Sequence, residues 1–294
     1  MRRDARRPGF LPLALLFGLF VLFLYGPVIT IFVLSFQGPD GGLTFPLRGL
    51  STHWYGELWK GLGVVDIGAA LARSLSLGMV VMVLTVLLSL SAGLAFRKPL
   101  RGGHLLFYVT VASLIMPSIV VSLGIALQFR LIDAGLKALF DALGASGLAE
   151  RFGTSLGLYT SGLGAHLTWT LPFGLLIMFA VFNRFDASVE EAARDQGASP
   201  WQSFRHVVLP LIAPSVVGIG MFGFTLSWDE ISRSSQAIGE LNTLPLELQG
   251  LTTTVTSPAI YALGTLTTGV SLLVVAIAFG SASWLRRRKR GVAH

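Results

Sequence analysis

Residues 186–210 read Asp186-Ala-Ser-Val-Glu-Glu-Ala-Ala-Arg-Asp-Gln-Gly-Ala-Ser-Pro-Trp-Gln-Ser-Phe-Arg-His-Val-Val-Leu-Pro210, and they stand between two long apolar runs, Leu158–Phe182 and Pro210–Trp228. Asp186 or Ser188 can cap a helix whose first turns carry Glu190 and Glu191, carboxylates that suit the positive end of a helix dipole. Gly197, followed closely by Pro200, supplies a stop, so the spacing predicts a short helix of about ten residues. Pro200 fits the first position of a second short helix to Val208, which leads into the next apolar run with Pro210 and Pro214 in its first turns. The first helix carries the small residues Ala192, Ala193, Gly197 and Ala198 and cannot bury itself within its own loop. It docks in a partner's groove, or it is an ordinary interfacial connector.

The flanking runs belong to a set of six, each long enough, at about 20 residues, to cross a hydrocarbon layer of roughly 30 Å. The others are Phe10–Phe36, Ser74–Phe96, Leu105–Phe129 and Tyr261–Leu285. Of the 294 residues 53% are hydrophobic and only 13% charged, against about a quarter charged in soluble domains. The solvent for most of the chain is therefore lipid, and the class is an all-α polytopic membrane protein. No stretch outside the runs exceeds about 40 residues, too short for a self-sufficient soluble core. The net charge of +7 sits in short basic clusters between apolar runs, a topological pattern and not a nucleic-acid-binding face. Without cysteine, thiol catalysis, disulfides and Cys-ligated zinc are excluded. Arg2, Arg3, Arg6 and Arg7 precede the first run as they would a signal peptide, but its apolar length and the lack of a small-residue cleavage site predict a retained helix.

Fifteen of the 22 Lys and Arg fall in one set of connections: Arg2, Arg3, Arg6 and Arg7; Arg97, Lys98 and Arg101; Arg184, Arg194 and Arg205; and Arg286 to Arg290. The excess predicts that both termini, and the loops after the second and fourth spans, are cytoplasmic. On the other side Ile132, Leu136, Leu139, Phe140 and Leu143 make one helical stripe within Arg130–Gly144, which either lies along the outer interface or is a helical loop packed on its neighbours. Pro27, Pro117 and Pro172 interrupt spans and are expected to kink them. The chain thus divides into an arm and first span over 1–36, a five-span core over 67–285 containing the loop at 183–209, and a basic tail at 286–294.

Glu191-Ala192-Ala193, three residues, Gly197, nine residues, then Val207-Val208-Leu209-Pro210 resembles the EAA loop of ABC importer permeases, with Val207 in the position of an isoleucine. The motif is long, has fixed spacing and occupies a loop that charge counting places in the cytoplasm. The resemblance implies an ABC importer permease fold, a pair of permease subunits, two ATP-binding cassette subunits and an external solute-binding protein. It makes the loop a coupling helix docked on the ATPase, with Glu190, Glu191, Ala192, Ala193, Gly197, Ala198, Leu209 and Pro210 as coupling residues. ATP and magnesium would be held by the partner subunits and no cofactor by this chain. The runs His166–Phe173 and Phe224–Glu230, with Leu244-Pro-Leu246 and Ser257-Pro258, resemble permeases of the spermidine/putrescine group. Ferric iron, thiosulfate-like anions and aminoalkylphosphonates travel through related scaffolds and stay as alternatives.

Ionisable groups beside a span point to a solute path. Asp229 and Glu230 close the fifth span, and the loop beyond adds Arg233, Glu240 and Glu247, a balance that would favour a cationic solute. Solvated carboxylates, or partners for Arg233, are the plainer reading. Trp228 can stack a cation or sit in an interfacial belt. His166 and Trp169 on the fourth span are further path candidates, although a lone histidine also serves as a bundle hydrogen bond. Thr265, Thr267, Thr268 and Ser271 line a wet cavity or bond between helices, and Arg73 is expected to snorkel. Gly218-Ile-Gly220-Met-Phe-Gly223 matches a dinucleotide fingerprint letter for letter but lies inside an apolar run with no strand before it, so it reads as helix packing. No Gly-x-x-x-x-Gly-Lys-Ser/Thr run exists to hold ATP, no His-Glu-x-x-His helix occurs, and neither acid/base pairs at bilayer depth nor inverted repeats suggest an intramembrane enzyme or a secondary transporter.

Overall fold

A computed structural model describes residues 10–61, 65–97, 101–254 and 256–290, without the side chains of 278 and 281–290. The arginines at 2, 3, 6 and 7, Lys98 and residues 291–294 of the tail lie outside the described residues. Among those described the chain is helical: α1 Phe10–Leu34, α2 His53–Lys60, α3 Ile67–Ala95, α4 Gly103–Ala112, α5 Ser118–Ala142, α6 Ser146–Arg151, α7 Leu163–Phe182, α8 Ser188–Asp195, α9 Pro200–Ser203, α10 Leu209–Trp228, α11 Ser234–Ala237, α12 Leu244–Thr254 and α13 Ala259–Arg290. Among the described residues six stretches are long and apolar enough to cross a membrane: Phe10–Leu34, Ile67–Ala95, Ser118–Ala142, Leu158–Phe182, Pro200–Trp228 and Ala259–Ile277.

Five of these overlie the expected runs, and the third is displaced. The run expected from Leu105 to Phe129 is broken, because α4 stops at Ala112 and a new helix starts after Pro117. Proline offers no amide to the preceding turn and disfavours helical geometry in the residue before it. Pro117 is therefore the boundary of α5 and not a kink within a span. Helix α5 then runs unbroken through Arg130 to Ala142, so most of the stripe assigned to an interfacial segment belongs to the spanning helix itself.

The helices pack as two compact units. One is drawn from the described parts of Met1–Ile67 and Leu248–Val270. Helix α1 is apolar on every side, with none of its 18-residue apolar window buried, as expected of a helix whose solvent is lipid. Past its end, Ser35 Oγ and Tyr55 OH lie 2.8 Å apart. The buried Gln37 accepts from the Arg48 amide at 2.7 Å and donates to the Gly42 carbonyl at 3.2 Å, which closes the loop between α1 and α2. Tyr261 OH donates to the Leu43 carbonyl at 2.7 Å.

The other unit is drawn from the described parts of Gly68–Glu247 and Ser271–His294, and its centre is α3, α7 and α10. Met178, Val208, Ile212 and Ile219 are buried together, with Val86, Leu90, Phe182 and Leu209 against them. Small residues set the approach of these helices: a Cβ on Gly223 would stand 3.2 Å from Thr85 Cβ and 3.3 Å from the Met82 backbone, and one on Gly174 would collide with Ser89. The hydroxyls of Thr85 and Thr170 lie 2.7 Å apart between α3 and α7. The glycine run 218–223 is thus a packing face, since Gly220 and Gly223 turn to α3 while a Cβ on Gly218 would meet nothing within 4 Å. Arg73, expected to snorkel, donates to the Asn242 carbonyl at 2.8 Å. If this packing sets the unit, Gly223→Val will lower the unfolding midpoint of the detergent-purified protein by the equivalent of about 1–3 kcal/mol. Gly218→Ala should leave the midpoint unchanged.

Candidate functional site

The loop between α7 and α10 is built locally. Asp186 Oδ1 accepts the Ser188 amide at 3.0 Å, and hydrogen bonding from the Ser188 side chain, then from this amide, holds its carboxyl below the ordinary aspartate range. Gly197 takes a positive φ of 84° while its amide donates to the Arg194 carbonyl at 2.8 Å, a left-handed closure of α8 that glycine adopts without a Cβ penalty. Two residues on, Ser199 and Gln202 form a reciprocal capping box and Pro200 stands at the first helical position. A π-helical turn over Phe204–Val208 continues into α10, where Pro210 lies at the start and Leu209 packs on the buried Met178 cluster.

The adjacent glutamates of α8 face different ways. Glu191, Ala192 and Gly197 are exposed, with Ala193 and Ala198 half-buried. Val189 is 41% exposed and Trp201, at the start of α9, 64%. Glu190 turns toward the bundle: Arg97 Nη2 donates to its Oε2 at 2.7 Å and Arg194 Nη2 to its Oε1 at 2.8 Å. The hydrogen bond from Arg97 holds the Glu190 carboxyl below the ordinary glutamate range. Arg97 also lies over two rings, 5.3 Å from the centre of Phe182 and 5.2 Å from that of Phe185. Leu94, Arg97, Ala187, Glu190, Glu191 and Arg194 line a pocket of about 260 Å³. In the sequence Arg97 counted only as a topological charge; its place just past a span, facing a loop with paired glutamates, was the one signal of a further role.

At the other ends of these helices His166, Trp169 and Glu230 gather around a residue that sequence reasoning left in a loop. Arg233 is fully buried. Its guanidinium lies 4.8 Å from the Trp169 ring centre, donates to Thr168 Oγ1, and reaches Ser118 Oγ and the Ser113 carbonyl at 3.3 Å each. Its amide donates to Glu230 Oε1 at 2.8 Å, and its carbonyl accepts from Ser122 Oγ at 2.7 Å. His166 is also fully buried, with Nδ1 2.8 Å from Ser227 Oγ and Nε2 2.9 Å from Ser234 Oγ. Trp228 is buried and stacks on Phe224 with centroids 5.8 Å apart, its Nε1 without a hydrogen-bond partner among the described residues. Asp229 remains exposed at the end of α10. The structure brings His166, Trp169 and Glu230 together with Arg233 and turns Asp229 away from them to solvent.

Residues 85–291 match the family described as the binding-protein-dependent transport system inner membrane component. The chain belongs to that family. The matched stretch takes in both the α8 loop and the Arg233 cluster, so this is a membrane-embedded transport permease. It is similar to the spermidine/putrescine transport system permease protein PotC of Escherichia coli K12, 28% identical over 255 residues covering 86% of this chain and 87% of that one. It is 29% identical over 257 residues to the PotC of Haemophilus influenzae, covering 87% and 90% of the two chains. Against the putrescine transport system permease protein PotI of Escherichia coli K12 the identity is 30% over 266 residues, covering 87% and 85%. A crystal structure of a bacterial ABC transporter involved in the import of the acidic polysaccharide alginate shares the fold, with a TM-score of 0.57 and 20% identity over 96% of this permease and 98% of that chain.

Arg233 holds acceptors from the α4–α5 turn, α5 and α7 at once, and removing it strands them away from water. Arg233→Leu should therefore destabilise the purified permease by about 3–5 kcal/mol, read as a lowered unfolding midpoint. Arg233→Lys should recover only part, because an ammonium cannot present the same planar fork.

Proposed function

We propose that this permease is the membrane subunit of an ABC importer for a polyamine such as spermidine or putrescine, driven by partner ATPases that dock on α8. The observation that carries the reading is the presentation of α8: a capped helix carrying the Glu191-Ala192-Ala193 and Gly197 pattern, with its Glu191 face and its apolar Val189 exposed in a member of a binding-protein-dependent transport family. An exposed apolar residue beside a carboxylate and small side chains is the surface that a helix-in-groove contact needs. Close approach through Ala192 and Gly197, with Glu191 as the polar contact, assigns coupling to Glu191, Ala192, Ala193, Gly197 and Ala198. Leu209 and Pro210 carry motion into α10. In this assembly a second homologous permease completes the path, an external binding protein delivers the solute, and the ATPases hold ATP and magnesium. The basic clusters put both termini and α8 in the cytoplasm of a bacterial inner membrane.

Solute class rests on charge and on the named relatives. The fold alone does not select it, since the structurally similar transporter handles an acidic polysaccharide. With Arg233 withdrawn into the protein, Asp229, Glu230, Glu240 and Glu247 make the Trp228 end of α10 and the segment beyond it acidic, which attracts a di- or tri-cation and repels an anion. Trp228 and Trp169 are the aromatic faces nearest that end, though Trp169 is occupied by Arg233 and His166 by two serines. Transport is then alternating access: closure of the ATPase pair moves α8, and the cavity between the permeases changes face.

Two outcomes check this reading. Purified with its ATPase and binding-protein partners, the complex should hydrolyse ATP faster with spermidine or putrescine. The double variant Glu191→Ala, Gly197→Asp should abolish that stimulation while inserting normally; full stimulation in the variant would refute docking on α8. Asp229→Asn should raise the half-saturating concentration of a divalent amine roughly fivefold, the size of losing about 1 kcal/mol of attraction. It should leave a neutral analogue unaffected.

A further inference from the structure

Motor-driven movement of α8 has an obvious path into the bundle through the chain itself, backward to α7 and forward to α10. The structure contains a second connection that the chain does not make. Arg97, just past the end of α3, is 93 residues from Glu190, and their side chains meet at 2.7 Å. The contact is partly sheltered, with the Arg97 side chain 25% exposed and Glu190 13%. Beneath it the guanidinium packs over Phe182 and Phe185, which mark the end of α7 and the entry to the loop. The platform is tight: a Cβ on Gly93, one turn before Arg97, would come within 2.8 Å of Met178 Cβ and 3.0 Å of the Phe182 ring. Glu190 is further held by Arg194, four residues along α8. One carboxylate thus joins the coupling helix to α3 while its neighbour, Glu191, stays free for a partner.

We infer that Arg97 and Glu190 form a strut that makes α3 move with α8, a positioning pair that transmits motor motion to a third helix of the bundle. A surface ion pair held only by charge would be weak and replaceable. This one is flanked by rings and sheltered, and a guanidinium confined in that way transmits displacement where a mobile ammonium on a flexible stem would not. The pair lies on the side of α8 that meets the end of α3, about 100° around the helix from Glu191. Its loss leaves the docking surface in place and removes the link to α3.

The inference rests on the proposed docking of an ATPase on α8, and one experiment separates the two. The assembled complex in proteoliposomes is measured for ATP hydrolysis and spermidine uptake in parallel, for the wild type, Arg97→Gln, Glu190→Gln, the double variant and Arg97→Lys. The strut predicts that Arg97→Gln keeps its ATPase subunits and its basal hydrolysis while spermidine moved per ATP falls about fivefold or more, the lower end of typical site-to-site coupling, and that Glu190→Gln lowers the same ratio. The double variant should be no worse than either single one, since both remove the same contact. Arg97→Lys should fall between wild type and Arg97→Gln. Uptake per ATP unchanged in Arg97→Gln, or strictly multiplicative losses in the double variant, would overturn the strut with the docking reading intact. No ATPase copurifying with the wild type would instead overturn the docking reading.

Discussion

A backbone amide in hydrocarbon finds no water, so every break in a helix must be satisfied by protein, and close contact between helices depends on residues small enough to let backbones meet. In this permease both demands are met by glycine and hydroxyl side chains. Gly174, Gly220 and Gly223 let α7 and α10 approach α3, and the Thr85–Thr170 contact bridges α3 to α7 at the same level. The buried Met178 cluster forms where these helices converge, and the α8 loop leaves from that convergence. The α8 loop is therefore attached to a buried, closely packed part of the unit.

The break between α4 and α5 shows the same constraint at its most costly. Pro117 ends helical bonding and frees carbonyls just before it. The Arg233 fork accounts for one of them, the Ser113 carbonyl, and binds Ser118 and Thr168 besides. A buried cation without a carboxylate on its guanidinium among the described ion pairs is expensive. Here the π face of Trp169 and several neutral acceptors replace the counterion. The consequence is that the segment after α10 is pinned to α5 and α7.

At the other end of the same helices the charges are divided between the bundle and the surface. Glu190 and Glu191 are neighbours in sequence and share the favourable dipole position at the start of α8, yet one serves the bundle and the other the surface. A helix turns by about 100° per residue, which lets Glu190 meet Arg97 while the Glu191 side chain stays exposed. Glu191 of the motif is exposed, and its neighbour Glu190 is the one held by Arg97.

Most of the architecture was legible in the sequence because it is set by short-range rules. Run length and composition marked the spans, with Leu158–Phe182 placed to the residue; capping and stop signals marked α8 and α9; and the spacing from Glu191 to Pro210 pointed to the family that residues 85–291 match. The third span was misplaced because hydropathy cannot distinguish a kinked helix from two helices separated at Pro117. The neighbours of Arg233, His166 and Glu190 were not legible either. Thr168 lies 65 residues from Arg233, Ser227 lies 61 from His166, and Arg97 lies 93 from Glu190. Which charge is exposed and which is buried depends on helices that meet only after the chain has crossed the membrane and returned. Local sequence determined the spans, the caps and the loop; tertiary packing alone decided which polar side chains hold the helices together and which are left to meet a partner or a solute.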